Sequence, residues 1–216
     1  MLSKLFVLII AVTIAAEASG QQLPTANDVV AKMVARDNER QAALLGYTAA
    51  RRYVLENSRH HKRAEMLIRV ECLDNGAKQF HTVSESGWGI ARNHLFPRLL
   101  EGEKEASQPD LRERSRITPK THSKYLIQGK ICVDSEDYAI LRIEGRPAKN
   151  PSFWIKSVHF VHTYQKNGPF WLPASDRSVT DARIIGATEL TIEYFNYEPR
   201  MALSASRADL ASGSLR

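Results

Sequence analysis

The C-terminal half of the chain is a series of alternating apolar and polar stretches joined by short polar turns. This pattern limits the possible folds more than any other feature. Side chains alternate between the two faces of a strand, so such stretches predict strands, and strands joined by short turns pair antiparallel. The predicted strands are residues 125–134, 138–144, 153–165, 170–174, 179–185 and 188–197. Together they predict an antiparallel sheet.

The N-terminal half predicts one long helix followed by further strands. The helix is expected over residues 26–45, where Thr25 and Asp28 have the spacing of a capping box and Gly46 is the expected stop. Three strands and a helical insertion that is divided at Pro97 come next. The strands are predicted at residues 47–56, 64–72 and 78–84, and the insertion between residues 88 and 115. A single α+β domain is therefore expected.

Several predicted strands carry apolar residues on both faces. A sheet of this kind must be covered twice, or be curled so that one face lines a cavity. Aromatic stripes are more often core than ligand site, so a filled core is the alternative to a cavity. The candidate cavity residues occupy alternating strand positions that a curled sheet would turn towards its helices: Ile68, Val70, Val158, Phe160, Ile192 and Tyr194.

The N-terminus has the organisation of a secretory signal peptide. A short positive start is followed by an apolar run over residues 5–16 and by small residues at Ala18 and Gly20. The run is shorter than the roughly 20 residues that a membrane-spanning helix needs. We therefore expect a signal peptide at 1–20, a domain at 21–199, a disordered tail at 200–216 and a periplasmic location. An uncleaved anchor is the alternative.

Two cysteines, Cys72 and Cys132, could pair in an oxidising compartment. A disulfide closing a loop of about 60 residues would stabilise the fold by roughly 4 kcal/mol in the chain-entropy model. The alternative is two separate thiols that act as small apolar residues on different strands. The second arrangement is favoured.

The pattern of charged and reactive residues favours no known catalytic or nucleic-acid-binding chemistry. The net charge is +6, but both signs are interleaved, as between residues 101 and 116. His159 and His162 are three apart on a predicted strand and so point to opposite faces, which argues against a shared metal ion. No serine lies in a nucleophile elbow, and no phosphate-binding loop occurs. We expect a non-enzymatic protein with no catalytic residue, metal, cofactor or nucleic-acid partner.

Several short motifs in this sequence resemble exported bacterial proteins of the LolA/LolB-like, outer-membrane lipoprotein-sorting superfamily. The resemblance covers roughly residues 47–199. The motifs are Arg52-Tyr53, residues 84–88 (SESGW), 96–100 (FPRLL), 129–131 (GKI), 133–134 (VD), 137–140 (DYAI), 153–160 (FWIKSVHF) and 168–175 (GPFWLPAS). The resemblance implies a strongly curved antiparallel sheet, which is an incomplete β-barrel, with an N-terminal helix and a helical insertion covering its concave side.

The resemblance also implies a function. The chain is expected to be a monomeric periplasmic carrier or binder of a lipid or lipoprotein acyl chain. The alternative is a cell-envelope sensor or interaction domain that docks a protein partner. The family pattern has a further hairpin where this chain has only residues 116–124. Its absence would leave an unpaired edge or a wider mouth. No residue of this chain matches the polar residue that latches the lid in the carrier.

Overall fold

The computed structural model describes residues 24–109, 127–148, 153, 155–184 and 186–202. The helices are α1 (Ala26–Ala43), a π-helical turn (Ala91–Leu95) and α2 (Phe96–Ala106). The strands are β1 (Leu44–Asn57), β2 (Lys62–Cys72), β3 (Lys78–Gly87), β4 (Ile127–Val133), β5 (Ile140–Pro147), β6 (Ile155–Asn167), β7 (Phe170–Ala182) and β8 (Gly186–Met201).

These strands form one eight-stranded sheet in the order β3-β2-β1-β8-β7-β6-β5-β4. Every neighbouring pair is antiparallel, and the pairing of β1 with β8 joins the N-terminal strands to the C-terminal ones. Among the described residues, β3 and β4 are the two edges, so the sheet is not closed into a barrel. The predicted α+β fold, an open half-barrel with an N-terminal helix and a helical insertion, is confirmed.

Helix α1 begins as the sequence predicts but ends earlier. Thr25 caps it through a capping box with Asp28. The chain then enters β1 at Leu44, and the predicted helix stop, Gly46, lies within this strand at a φ of 131°. A Cβ added to Gly46 would overlap the carbonyl oxygen of Cys72 on β2. Gly46 is therefore needed for close strand approach, not for ending the helix, and the predicted role was wrong.

The predicted strands 170–174 and 179–185 are one continuous strand, β7. The polar residues between them had indicated a break. Instead, a bulge at Ala174, next to Pro173, absorbs one extra residue, because Tyr164 pairs with Pro173 while Thr163 pairs with Ser175. The pairing with β6 and β8 then continues through the polar segment.

The hydrophobic core lies between one face of β1 and β2 and the insertion that contains α2. We call this face of the sheet the inner face. Burial alternates strictly along β2 from Ala64 to Val70, as predicted for a half-buried strand. Phe96, which immediately precedes Pro97, is fully buried against Tyr53 and Met66 in the same cluster. Leu99 and Leu100 of α2 add to this packing.

The two cysteines form no disulfide. Cys72 ends β2 and Cys132 lies on β4, and the strand order places β1, β8, β7, β6 and β5 between them. Two cysteines can be bridged only when their Cα atoms are within about 7 Å. The preferred prediction of separate thiols therefore agrees with the strand order.

Some sequence predictions concern residues that the structure does not describe. The predicted signal peptide at 1–20, the short region 116–124 and residues 203–216 of the predicted tail lie outside the described residues. Strand β8 continues past residue 199 to Met201, which pairs with Leu44. None of the described helices combines the length and apolar character that crossing a bilayer requires.

Candidate ligand-binding site

The inner face continues from the core across the rest of the sheet. Directly paired residues of antiparallel strands lie on the same face. The pairs Arg51–Tyr194 and Tyr53–Ile192 carry the inner face from β1 to β8. The pairs Ile192–Asp176 and Asp176–His162 carry it on to β7 and β6. Beyond β8 the inner face therefore includes charged and titratable side chains.

All six predicted cavity residues lie on this inner face, but in two different environments. Ile68 and Val70 are completely buried in the core, and Ile192 packs against that core. The other three, Tyr194, Phe160 and Val158, are half-buried on β8 and β6. A ligand-lining role for the six stays a prediction, and none of them lines the two cavities described below.

A buried arginine connects the sheet to α2. Arg51 is only 2% exposed, and its Nη1 donates hydrogen bonds of 2.9 and 2.7 Å to the two carboxylate oxygens of Glu103. Lys78 Nζ donates to the same carboxylate at 2.6 Å. The guanidinium also lies over the ring of Tyr194, 4.7 Å from its centre. The ion pair thus fixes α2 on the inner face.

The environment keeps both partners of this ion pair ionised. Burial opposes the charge of Arg51, but the charge and hydrogen bonds of Glu103 outweigh it and raise the pKa of the guanidinium. Burial likewise opposes ionisation of Glu103, yet Arg51 and Lys78 lower the pKa of its carboxyl group. Arg51 was not predicted as a site residue. The available signal was a charged residue at an inward position of β1, between Ala49 and Tyr53.

A second polar cluster lies on the neighbouring strands. His162 Nδ1 and Asp176 Oδ1 are hydrogen-bonded at 2.5 Å, and the Tyr194 hydroxyl donates to the other oxygen of Asp176. The hydrogen bond to Asp176 raises the pKa of His162 although burial opposes it. Burial, reinforced by the negative charge of Asp176, raises the pKa of Tyr194, which stays a neutral donor. Tyr194 therefore lies between this cluster and Arg51.

The two strand histidines lie on opposite faces of the sheet, as predicted. The inner-face His162 pairs across the strands with Asp176, whereas His159 lies 3.5 Å from Glu144. No group of three or more potential metal ligands occurs among the described residues.

Helix α1 lies against the turn between β4 and β5 without burying any of its residues. Lys32 Nζ donates a 3.1 Å hydrogen bond to the Tyr138 hydroxyl, and Arg40 Nη1 donates at 3.0 Å to the Asp137 carbonyl oxygen. Both acceptors belong to the turn between β4 and β5. These two polar contacts, together with the half-buried Met33, therefore hold α1 in place.

An aromatic pocket of about 340 Å³ lies beneath one side of α1. Three aromatic rings from the turn, β6 and β7 face apolar residues of α1. The turn is held in place by Trp171, whose Nε1 donates to Asp137 at 2.9 Å, and by Lys166, which lies 2.7 Å from the same carboxylate. The pocket is lined by Met33, Val34, Asp37, Asn38, Arg40, Tyr138, Ala139, Ile140, Tyr164 and Trp171.

A wide cleft of about 970 Å³, lined by both polar and apolar residues, lies on the other side of α1. It runs between the C-terminal half of α1, the β2–β3 turn and the C-terminal end of α2. Lys78 and Glu103 line it, as does Tyr47, whose ring meets that of Tyr197 edge-on at 5.4 Å. The cleft and the aromatic pocket share Asn38. An apolar pocket beside a cleft that holds Lys78 and Glu103 suits a ligand with an apolar body and a polar end.

Comparison with known proteins finds similarity in structure but not in sequence. No protein-family model matches this chain, and no curated protein matches it. A solved structure of a LolA superfamily protein from Nitrosomonas europaea is similar to 85% of this chain and 97% of its own, with a TM-score of 0.32 and 8% sequence identity.

Proposed function

We propose that the protein is a non-catalytic periplasmic binder or carrier of an acyl-chain ligand, which it holds between the inner face of the sheet and α1. The observation that carries the proposal is a helix that covers an aromatic pocket without burying any of its own residues. A lid held by edge contacts can lift at little energetic cost. The predicted signal peptide supports the periplasmic location.

The size and lining of the pocket support an apolar ligand. Its volume of about 340 Å³ falls within the ordinary range for small-molecule sites, and its walls are mostly apolar and aromatic. Each buried methylene group gains roughly 0.8 kcal/mol, so several methylenes give useful affinity without any catalytic group.

A matched pair of substitutions on α1 tests the proposal. Val30 and Val34 are each 55% exposed, but only Val34 lines the pocket. We expect Val34→Asp to weaken binding of dansyl-labelled undecanoate by at least about tenfold, because it places a charge at the apolar wall. We expect Val30→Asp to bind within about twofold of the unchanged protein. A fluorescence titration measures both.

Failure of the unchanged protein to bind the probe would contradict the proposal. Equal losses in the two variants would place the ligand elsewhere. Circular dichroism of each variant checks that the fold is kept, which we expect because both side chains are largely exposed.

One observation favours a second function, a sensor or interaction domain that docks an envelope protein. The edge strand β4 exposes Ile127 and Ile131 by 57% and 58%. An exposed strand edge with apolar side chains can pair with a strand of another protein. Native mass spectrometry of protein extracted from its own cells separates the two functions. A co-purifying lipid supports the binder, and a stoichiometric protein supports the sensor.

A further inference from the structure

Arg51 leaves one edge of its guanidinium unused. Each of its hydrogen bonds to the described residues, to Glu103 and to the Tyr53 hydroxyl at 3.4 Å, is made through Nη1. Nε is buried and has no hydrogen-bond partner among the described residues, and Nη2 makes no hydrogen bond to any of them. A buried donor without a partner is costly, so an unused guanidinium edge in a core calls for an explanation.

The charges around this edge do not balance. Arg51 and Lys78 share the single carboxylate of Glu103. The next acidic group on the inner face, Asp176, is already hydrogen-bonded to His162 and Tyr194. Two cations beside one committed anion leave a net positive charge among aromatic rings, where charges interact strongly.

The unused edge has the geometry for one kind of partner. Nε and Nη2 of a guanidinium form two parallel donors that match the two oxygens of a carboxylate or phosphate. The wide cleft is lined by Lys78 and by Glu103, which contacts Arg51, whereas Arg51 itself is buried behind Glu103 and does not line the cleft. Helix α2, which carries Glu103, follows directly on the π-helical turn Ala91–Leu95, and π-helical turns are frequent at functional sites.

We propose that Arg51 binds the oxyanion head group of the acyl ligand, a carboxylate or a phosphate, side-on through Nε and Nη2. Lys78 supplies a second positive charge. Glu103 keeps its hydrogen bonds to Nη1 on the other side of the guanidinium, but its negative charge repels the anionic head group. This inference rests on the proposed function, and it narrows the ligand from any acyl chain to an anionic amphiphile.

Calorimetric titration with ligands of one chain length tests the proposal. Dodecanoate, dodecyl phosphate and dodecanol share an apolar chain and differ in the head group. We expect at least one of the two anions to bind at least about tenfold more tightly than dodecanol, the usual gain from charge-assisted hydrogen bonds. Acetate and inorganic phosphate, titrated alone, should bind far more weakly, because they lack the chain.

Substitutions then test whether Arg51 causes the preference for anions over dodecanol. In Arg51→Lys the charge remains but the two-donor edge is lost, so the ratio of dodecanol to anion dissociation constants should fall towards one. The exposed Lys104 of α2 gives the control, since Lys104→Gln removes one nearby positive charge and should keep the ratio. If Arg51→Lys fails to fold, Lys78→Gln serves instead, and a several-fold fall in the ratio is expected.

Removal of the negative charge of Glu103 should have the opposite effect on anion binding. Glu103→Gln should bind the anionic ligands several-fold more tightly than the unchanged protein. The anions should also raise its melting temperature more than they raise that of the unchanged protein. A merely structural role for the Arg51–Glu103 pair predicts no gain in either measurement.

The outcomes separate this inference from the proposed function. If neither the anions nor dodecanol bind, the proposed function is wrong and this inference with it. Equal binding of dodecanol and the anions leaves an acyl-chain binder but overturns the head-group site. The site is also overturned if the preference survives Arg51→Lys, or if acetate or inorganic phosphate binds as tightly as the amphiphiles, which would indicate a small-anion site.

Discussion

The two halves of the inner face are built on the same sheet but are covered differently. On β1 and β2 the inward residues are buried, and the insertion ending in α2 fills the space above them with Phe96 and two leucines. On β6 and β7 the inward residues are half-buried and include His162 and Asp176. Helix α1 meets these two strands at the aromatic pocket, through Tyr164 and Trp171, and none of its residues is buried.

The difference arises from the two helices. Helix α2 begins with the fully buried Phe96 and is fixed by the Arg51–Glu103 ion pair. Helix α1 has an apolar stripe that Asp37 and Gln41 interrupt, and these two residues hydrogen-bond to each other. One sheet can therefore carry a packed core at one end and a half-buried surface at the other, because the neighbouring helix decides which forms.

A charged residue introduced on the inner face should show the largest difference in stability between its two halves. We expect Val70→Asp to unfold the domain, because burying an unpaired charge in the core costs about 5 kcal/mol or more. The same change at Val158, a half-buried position of β6, should leave the protein folded. Circular dichroism and urea denaturation measure this. Two folded variants would show that the β2 side is as accessible as the β6 side.

Truncation of aromatic residues should give the next largest difference. Phe96→Ala removes a completely buried ring and should lower the free energy of unfolding by about 3 to 5 kcal/mol. Phe160→Ala removes a half-buried ring, which lies 5.0 Å from the His162 ring, and should cost less than half as much. Equal losses in urea denaturation would contradict the division into a packed and an open half.

The ion pair that fixes α2 should give an acid-sensitive contribution. The folded-state pKa of Glu103 lies below its ordinary 4.5, so its stabilisation is present above pH 4.5 and is lost as the pH falls through the lowered folded value. Glu103→Gln should cost about 1 to 3 kcal/mol at pH 7, and the difference from the unchanged protein should shrink below pH 4.5. A difference independent of pH would argue against an ionic origin.

His162, on the half-buried part of the inner face, should make the smallest contribution to stability, with a pH dependence opposite to that of Glu103. Its folded-state pKa is raised above the ordinary 6.5, so its stabilisation is complete below pH 6.5 and is lost as the pH rises through the raised value. His162 is 38% exposed, so we expect under about 1 kcal/mol. Thermal unfolding of the unchanged protein and His162→Gln across this range measures it. Greater stabilisation at high pH would contradict the ion pair.

Local patterns in the sequence predicted much of the fold. Alternation along β2 and the capping box at Thr25 depend only on neighbouring residues, and both appear in the structure. Gly46 and the continuous strand β7 could not be predicted in the same way. The first is set by a carbonyl oxygen of another strand, and the second by pairing on both sides of a polar segment.

The candidate site shows the same limit. Alternation placed all six predicted residues on the inner face, but it could not tell which of them α2 would bury. Arg51 lies at an inward position of β1, but a search for alternating apolar residues does not select a charged residue. Its partner Glu103 is also far away along the chain. Only the packing of α2 on the sheet reveals that a charged residue can be buried there.

Hydrogen–deuterium exchange with and without dodecanoate tests the central claim, that the ligand binds beneath α1, most directly. The ligand should increase the protection of α1 and of the turn between β4 and β5, while the core amides of β2 around Ile68 keep their protection. Unchanged protection in α1, or new protection confined to β2, would contradict a ligand site beneath this helix.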